Sequence, residues 1–201
     1  MKSIVIGSRG SDLALWQANH VCNRLENLGF QCKIKIIQTQ GDRIQDIGFS
    51  KMEGKGFFTK EIEEALLKKE IDLAVHSHKD LETHQPAGLV IGAVSERAAC
   101  EDVILIAKTA ADSNLNLQFK QGAIVGTSSV RRKVQIQSMR PDAILTDLRG
   151  NVPTRIQKLR SGKYEAIVLA KAGLDRLELD LSEFHVFVCK PEQFVPAPAQ
   201  G

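Results

Sequence analysis

The sequence predicts an α/β protein of two domains with a ligand-binding cleft between them. Three observations predict it. Short apolar runs of strand length alternate with stretches of helical periodicity along the whole chain, a pattern that gives mostly parallel sheets covered on both faces. The 201 residues exceed one typical domain of ~150. Hydrophobic residues make up 43% and charged residues 25%, an ordinary globular composition that leaves disorder, collagen-like repeats and coiled coil unsupported.

The elements follow in order. Residues 3–7 form a short apolar run ending in glycine, a buried strand. Residues 11–28 carry Leu15, Val21, Leu25 and Leu28 at helical spacing, and Gly29 stops the helix. Residues 33–38 alternate like a half-buried strand. Residues 41–56 hold four glycines and several charges, the composition of a mobile loop. A helix over 57–69 and strands at 73–75 and 89–94 complete the first set. The second begins near residues 96–102. It has strands at 103–107, 123–126, 143–146, 166–170 and 184–189, and helices at 128–139 and 152–160. Pro191, Pro196 and Pro198 make an extended exit. The expected domains are residues 1–96 with 197–201, and residues 97–196.

No apolar run approaches the ~18 residues that span a bilayer. The N-terminal run is too short and too strand-like for a signal peptide. Cys22, Cys32, Cys100 and Cys189 form no CxxC pair and no Cys/His ligand spacing. Dispersed thiols fit a reducing cytoplasm and small buried side chains better than a disulfide framework.

The net charge of +3 conceals an asymmetry. Residues 1–100 carry 13 basic and 13 acidic side chains, whereas residues 120–176 carry 12 basic, seven of them arginine, against four acids. Such a block attracts an anion. Arginine forks suit carboxylates and phosphates. Nucleic acid fits poorly, because aromatics are only 5% and do not interleave the basic run.

Four strand-to-helix junctions are candidates for the anion, since helix N-termini offer unpaired N–H groups. The first, Gly7-Ser8-Arg9-Gly10-Ser11, has Ser11 either as anion donor or as a plain N-cap. In Gly54-Lys55-Gly56-Phe57-Phe58, Lys55 either closes over an anion or is merely solvated; the phosphate-loop spacing is absent. In His76-Ser77-His78-Lys79-Asp80, Asp80 beside Lys79 can stabilise a developing cation or carry a proton. His76 and His78 share one face of an extended segment, but no third metal ligand is evident, so no metal is expected. The fourth, Gly126-Thr127-Ser128-Ser129-Val130-Arg131-Arg132, combines hydroxyls, N–H groups and guanidinium forks. Arg149-Gly150-Asn151 through Arg155 repeats that combination.

Together these motifs, with Asp12-Leu13-Ala14-Leu15-Trp16-Gln17 and Leu169-Ala170-Lys171-Ala172-Gly173-Leu174, resemble the porphobilinogen deaminase (hydroxymethylbilane synthase) family along essentially the whole chain. The resemblance implies two periplasmic-binding-protein-like (type II) domains, with a third α+β domain of the family absent from this chain. It implies a transferase of tetrapyrrole (haem) biosynthesis that joins four porphobilinogen molecules into hydroxymethylbilane and releases ammonia. The chain grows on a dipyrromethane cofactor, and every ring adds an acetate and a propionate. Residue by residue, Asp80 resembles the catalytic acid that stabilises the azafulvene cation. Arg9, Ser11, Ser77, Lys79, Thr127, Ser129, Arg131, Arg132, Arg149 and Arg155 match positions that hold carboxylates. Ser128, Gly150, Asn151, Arg176 and Gln200 complete the expected binding set, and Lys55 lies on the covering loop. The expected partners are porphobilinogen and the growing polypyrrole, with no nucleic acid and no membrane, for a cytoplasmic monomer.

Three departures stand out. Glu82 follows Lys79-Asp80-Leu81 where the family has proline. Ala98-Ala99-Cys100-Glu101-Asp102 replaces an Asp-Pro-Arg-Asp stretch. The exit reads Pro196-Ala197-Pro198-Ala199-Gln200-Gly201. No cysteine sits in the Gly-Gly-Cys setting that anchors the family's cofactor. The chain is therefore expected to be a truncated form, inactive alone. The alternative is a cytosolic two-domain anion-binding protein without catalysis.

Overall fold

In the computed structural model, which describes residues 3–43 and 58–201, the first strand is β1, Ser3–Ser8. It is the centre of a three-stranded sheet of order β2-β1-β3, with β2 at Gln31–Ile36 and β3 at Leu73–Ala74. Both neighbours run parallel to β1, which pairs Ser3 with Gln31 and Ile6 with Leu73. Strand periodicity of two sends alternate side chains to opposite faces. Ile4 and Ile6 pack with Ala18 and Cys22 of α1, Asp12–Glu26. Val5 packs with Ile62 and Ala65 of α3, Lys60–Leu67. Between them, α2 is one turn, Gln40–Arg43. The first unit is Met1–Glu96.

The expected strand at 89–94 does not form. Val90 and Val94 are 87% and 65% exposed, and the segment has no ladder partner among the described residues. Strand propensity reports fit to a half-buried pleated surface, and without a partner it decides nothing. The mobile loop expected at 41–56 is helical at its start, through Arg43; its remainder lies outside the described residues.

The second unit, Arg97–Gly201, is built on a five-stranded sheet of order β6-β5-β7-β4-β8. These strands are β4 (Asp102–Ala107), β5 (Ile124–Gly126), β6 (Ile144–Thr146), β7 (Ala166–Ala170) and β8 (Phe184–Val188). The sheet is mixed, which corrects the mostly parallel expectation here: β5 runs parallel to β6 and β7, but β4 is antiparallel to β7 and to β8. Two-sided burial explains the continuous apolar runs. Ile104 and Ile106 face a core containing Phe119, Ile136 and Phe194. Val103 and Leu105 face Ile156, Leu159 and Tyr164. The helices are α4 (Val130–Met139), α5 (Val152–Arg160) and α6 (Lys171–Leu177).

Residues 197–201, expected with the first domain, group with the second unit. Gln200 is 1% exposed and donates to the Cys100 carbonyl at 2.8 Å and to Asp102 Oδ1 at 2.9 Å. Arg97 Nε donates back to the Gln200 carbonyl at 2.9 Å. Among the described residues no helix is long and apolar enough to cross a membrane.

Candidate functional site

In the first unit the candidate residues lie where parallel strands β1 and β3 end. Arg9 follows β1, and Ser11 holds the N-cap position of α1 in extended conformation without making a side-chain capping bond. After β3 the chain passes through His76 and Ser77 into a 3-10 turn at His78–Asp80. This turn corrects the extended segment expected for His76 and His78. No group of three potential metal ligands occurs among the described residues. Gln17 Nε2 donates to Ser77 Oγ at 2.9 Å and ties α1 to the end of β3. Burial, and then the charge of Arg9, holds the His76 imidazole below its usual pKa, which favours the neutral ring. Lys79 is half-buried and Asp80 exposed, so within this unit water reaches the Asp80 carboxylate. Lys55 lies outside the described residues.

Arg9 carries a bidentate pair. Its Nε lies 3.1 Å from Asp42 Oδ1, and Nη2 bonds the same oxygen. Its guanidinium also stacks on Phe58, 4.2 Å from the ring centre. Asp42 Oδ2 accepts from Thr39 Oγ1 at 2.7 Å.

In the second unit, β5 and β6 are parallel neighbours, so the junctions leading to α4 and α5 lie at one end of the ladder. Ser128 braces them: its Oγ donates to the Leu148 carbonyl at 3.0 Å and accepts from the Leu148 N–H at 3.1 Å. Buried Thr127 closes the ladder through a bond from its N–H to the Thr146 carbonyl. Ser129 caps α4, accepting from Arg132 N–H at 3.5 Å. Asn151 caps α5, accepting from Thr154 N–H at 2.9 Å. Gly150 has φ of +110°, a conformation that favours glycine. Arg155 Nε donates to the Gly150 carbonyl at 2.7 Å, which sets that guanidinium against the α5 junction. Half-buried Arg149 immediately precedes it.

The remaining expected residues are engaged differently. Arg132 is 7% exposed. Its Nε and Nη2 bond Asp102 Oδ1 at 3.2 and 2.6 Å, and Nη1 bonds the Val168 carbonyl at 2.9 Å. Arg131 Nη2 lies 2.7 Å from Asp102 Oδ2, and Nη1 donates to the Val195 carbonyl at 2.5 Å. Burial pushes the Asp102 carboxyl up, but the two arginines and Gln200 outweigh it and hold the group below the usual carboxylate range. Arg176 sits in the last turn of α6, where burial pulls its guanidinium below its ordinary value. Arg140, counted in the basic block, bonds the Asn116 and Phe119 carbonyls and Asp142, and so pins the turn at 116–120. Asp102 is the residue that the sequence reading passed over. Its only sequence signal is an acid opening an apolar strand.

The two junctions in the second unit can receive carboxylates: helix N-termini, capped but still offering N–H groups, beside arginine forks. A family described as "Porphobilinogen deaminase, dipyromethane cofactor binding domain" matches residues 4–201.

The chain belongs to the porphobilinogen deaminase family.

The porphobilinogen deaminase of Sulfurimonas denitrificans is 49% identical over 203 residues, covering 100% of this chain and 64% of the relative. That of Nitratiruptor sp. is 46% identical over 200 residues, covering 98% and 63%. That of Maridesulfovibrio salexigens is 47% identical over 203 residues, covering 100% and 64%. The chain thus spans somewhat less than two thirds of the length of these relatives. Among solved structures, a Salmonella typhimurium periplasmic binding protein (STM4351, of high arginine specificity) aligns with a TM-score of 0.48 at 11% identity, covering 98% of this chain and 83% of that one. An ancestral cationic amino acid solute binding protein aligns at 0.49 and 13%, covering 92% and 76%.

The donor set fits the family's dipyrromethane cofactor at its carboxylates. Of the four thiols, Cys22 and Cys189 are buried, and burial first of all pushes them up to about 11 and about 12, away from the reactive thiolate; Cys32 and Cys100 are half-buried.

Proposed function

We propose that this chain is the part of a porphobilinogen deaminase that binds the pyrrole chain and performs the condensation, joining porphobilinogen units with loss of ammonia. The observation that supports it most is the pair of braced, arginine-bearing helix N-termini after β5 and β6, within a chain matched by the family along residues 4–201. Arg149, Arg155 and the N–H groups of α4 and α5 hold acetate and propionate groups. Asp80 accepts from pyrrole N–H groups and stabilises the positive charge that develops as ammonia leaves. Ser11, Ser77 and Lys79 add donors beside it, and Arg131 and Arg176 add positive charge to the second unit. Dipyrromethane, when bound, supplies the attachment point for the growing chain. The protein acts on a diffusible substrate as a cytoplasmic monomer, without nucleic acid or membrane.

Calorimetry with porphobilinogen tests the binding part, and an ammonia assay tests the chemistry. Arg149→Gln and Arg155→Gln each weaken binding about tenfold, the value of one charge-assisted bond. Asp80→Asn leaves affinity within about twofold and, in a chain extended to the full length of its relatives, abolishes ammonia release. Equal affinity across the arginine variants refutes the reading. A second reading is an anion-binding protein without catalysis, since the braced helix N-termini and arginine forks can hold carboxylates without any reaction. Binding with no ammonia release by a chain extended to the full length of its relatives would favour it.

A further inference from the structure

We infer that Asp42 is a displaceable counter-carboxylate for Arg9: a ligand carboxylate takes its place on the guanidinium, so binding at Arg9 is an exchange rather than a net gain of charge pairing. The inference rests on the proposed function only for the identity of the ligand.

Four features of the pair point to exchange. The Asp42 carboxylate meets Nε and Nη2 of Arg9 side by side, the fork geometry that an acetate or propionate would adopt. Both side chains are about a quarter exposed, 24% and 27%, so another anion can reach them. The contrast is Asp102 with Arg132, at 0% and 8%, a pair closed to solvent.

The third feature is what Asp42 keeps when it lets go. Its Oδ2 accepts from Thr39 Oγ1 at 2.7 Å and from Thr39 N–H at 3.2 Å. The carboxylate therefore retains partners after Arg9 turns to a ligand, and the exchange does not orphan a half-buried charge. The fourth is what Arg9 keeps. Phe58 supports the face of its guanidinium at 4.2 Å, a cation–π contact that leaves the in-plane donors unused. Arg9 stays oriented whichever carboxylate it holds.

An exchange site has a consequence for a ligand that gains carboxylates as it grows. Every fixed arginine would add its full pairing energy, and the product would become harder to release. An arginine that must give up an internal carboxylate first contributes orientation with little affinity.

The test uses the whole chain, with porphobilinogen and succinate as separate probes. Calorimetry gives Kd, and the Arg9 Nε–H resonance in proton–nitrogen spectra reports its partner directly. Asp42→Asn keeps the shape and removes the charge. It should tighten binding about tenfold, the value of one partly exposed charge-assisted pair. In an Arg9→Gln background the same change should do nothing. In the wild type, ligand should shift the Arg9 Nε–H resonance, and Thr39→Val should leave tightening by Asp42→Asn intact.

Unchanged or weaker binding by a folded Asp42→Asn chain overturns the inference. So does equal tightening in the Arg9→Gln background, which would mark a general charge effect. So does an Arg9 resonance that neither probe moves, even in Asp42→Asn. If succinate shows the exchange pattern and porphobilinogen does not bind, the inference stands and the proposed function falls. If porphobilinogen binds without the pattern, the reverse holds.

Discussion

Replacing Asp102 with asparagine should be the most damaging polar substitution in the second unit. Asp102 is fully buried, and its Oδ1 takes Arg132 Nε at 3.2 Å, Arg132 Nη2 at 2.6 Å and Gln200 Nε2 at 2.9 Å. Asparagine keeps the volume but removes the charge, and leaves the Arg132 guanidinium buried without compensation. Breaking a buried pair in this way costs about 3–5 kcal/mol. For a unit of this size about 1 kcal/mol shifts Tm by ~4–8 °C, so Tm should fall by more than about 10 °C. Urea and thermal unfolding, followed by circular dichroism, measure it. The double variant Asp102→Asn with Arg132→Met should recover at least half of the loss, because no fully buried charge is left unpaired; Arg131, which also pairs with Asp102 at 2.7 Å, is 23% exposed and turns to water. The pH dependence has a definite sign. The folded Asp102 carboxyl lies below its ordinary value, so its contribution is complete above the unfolded carboxylate pKa of ~3.9. It is lost as pH falls through the lower folded value, and Asp102→Asn should remove that part of the acid limb. A loss below about 1 kcal/mol, or a double variant worse than the single, would refute the assignment of Arg132 to a buried pair.

Asn151→Ala should cost about 1 kcal/mol, the usual value of an N-cap, and urea midpoints will show it; the capped groups are the Thr154 N–H and hydroxyl. Gly126→Ala should destabilise by about 1–3 kcal/mol, since a Cβ would meet the Tyr164 ring at 2.7 Å; truncating Tyr164 as well should relieve part of that cost. Alkylation at pH 8, read by peptide mass spectrometry, should modify Cys32 and Cys100 before Cys22 and Cys189, whose buried thiols are pushed up to about 11 and about 12. The His76 ring should titrate below the ordinary ~6.5, because burial and Arg9 disfavour its cation; stability of the first unit should decline as pH falls below that unfolded value, and His76→Gln should flatten the decline.

The apolar runs at 103–107 and 166–170 were legible because strands buried on both faces read as continuous hydrophobic stretches. The helix at 152–160 was read in place, and the structure shows what starts it, an N-cap at Asn151 and a first-turn proline at Pro153. The run at 89–94 misled, because its composition is that of a strand and its environment is not. Site positions were legible as junctions of strand and helix. Their engagements were not. Ser128, read as an anion donor, also braces Leu148, donating to its carbonyl at 3.0 Å. Gln200 looked like a ligand contact and spends its amide on Cys100 and Asp102. Arg131 and Arg132 looked equivalent, yet one is buried and the other is partly exposed.

The sequence by itself determined the alternation of strands and helices, the basic block and the motifs that identify the family, since these depend on residue order and local periodicity alone. Tertiary structure decided strand direction in the second sheet, the placement of 197–201 and which arginines pair with carboxylates of the chain itself. Those outcomes depend on partners far along the chain: Asp102 lies 30 residues from Arg132, Gln200 lies 98 from Asp102, and Arg9 lies 33 from Asp42. A guanidinium's charge is written in its residue type. Whether that charge is already matched depends on what folding brings beside it.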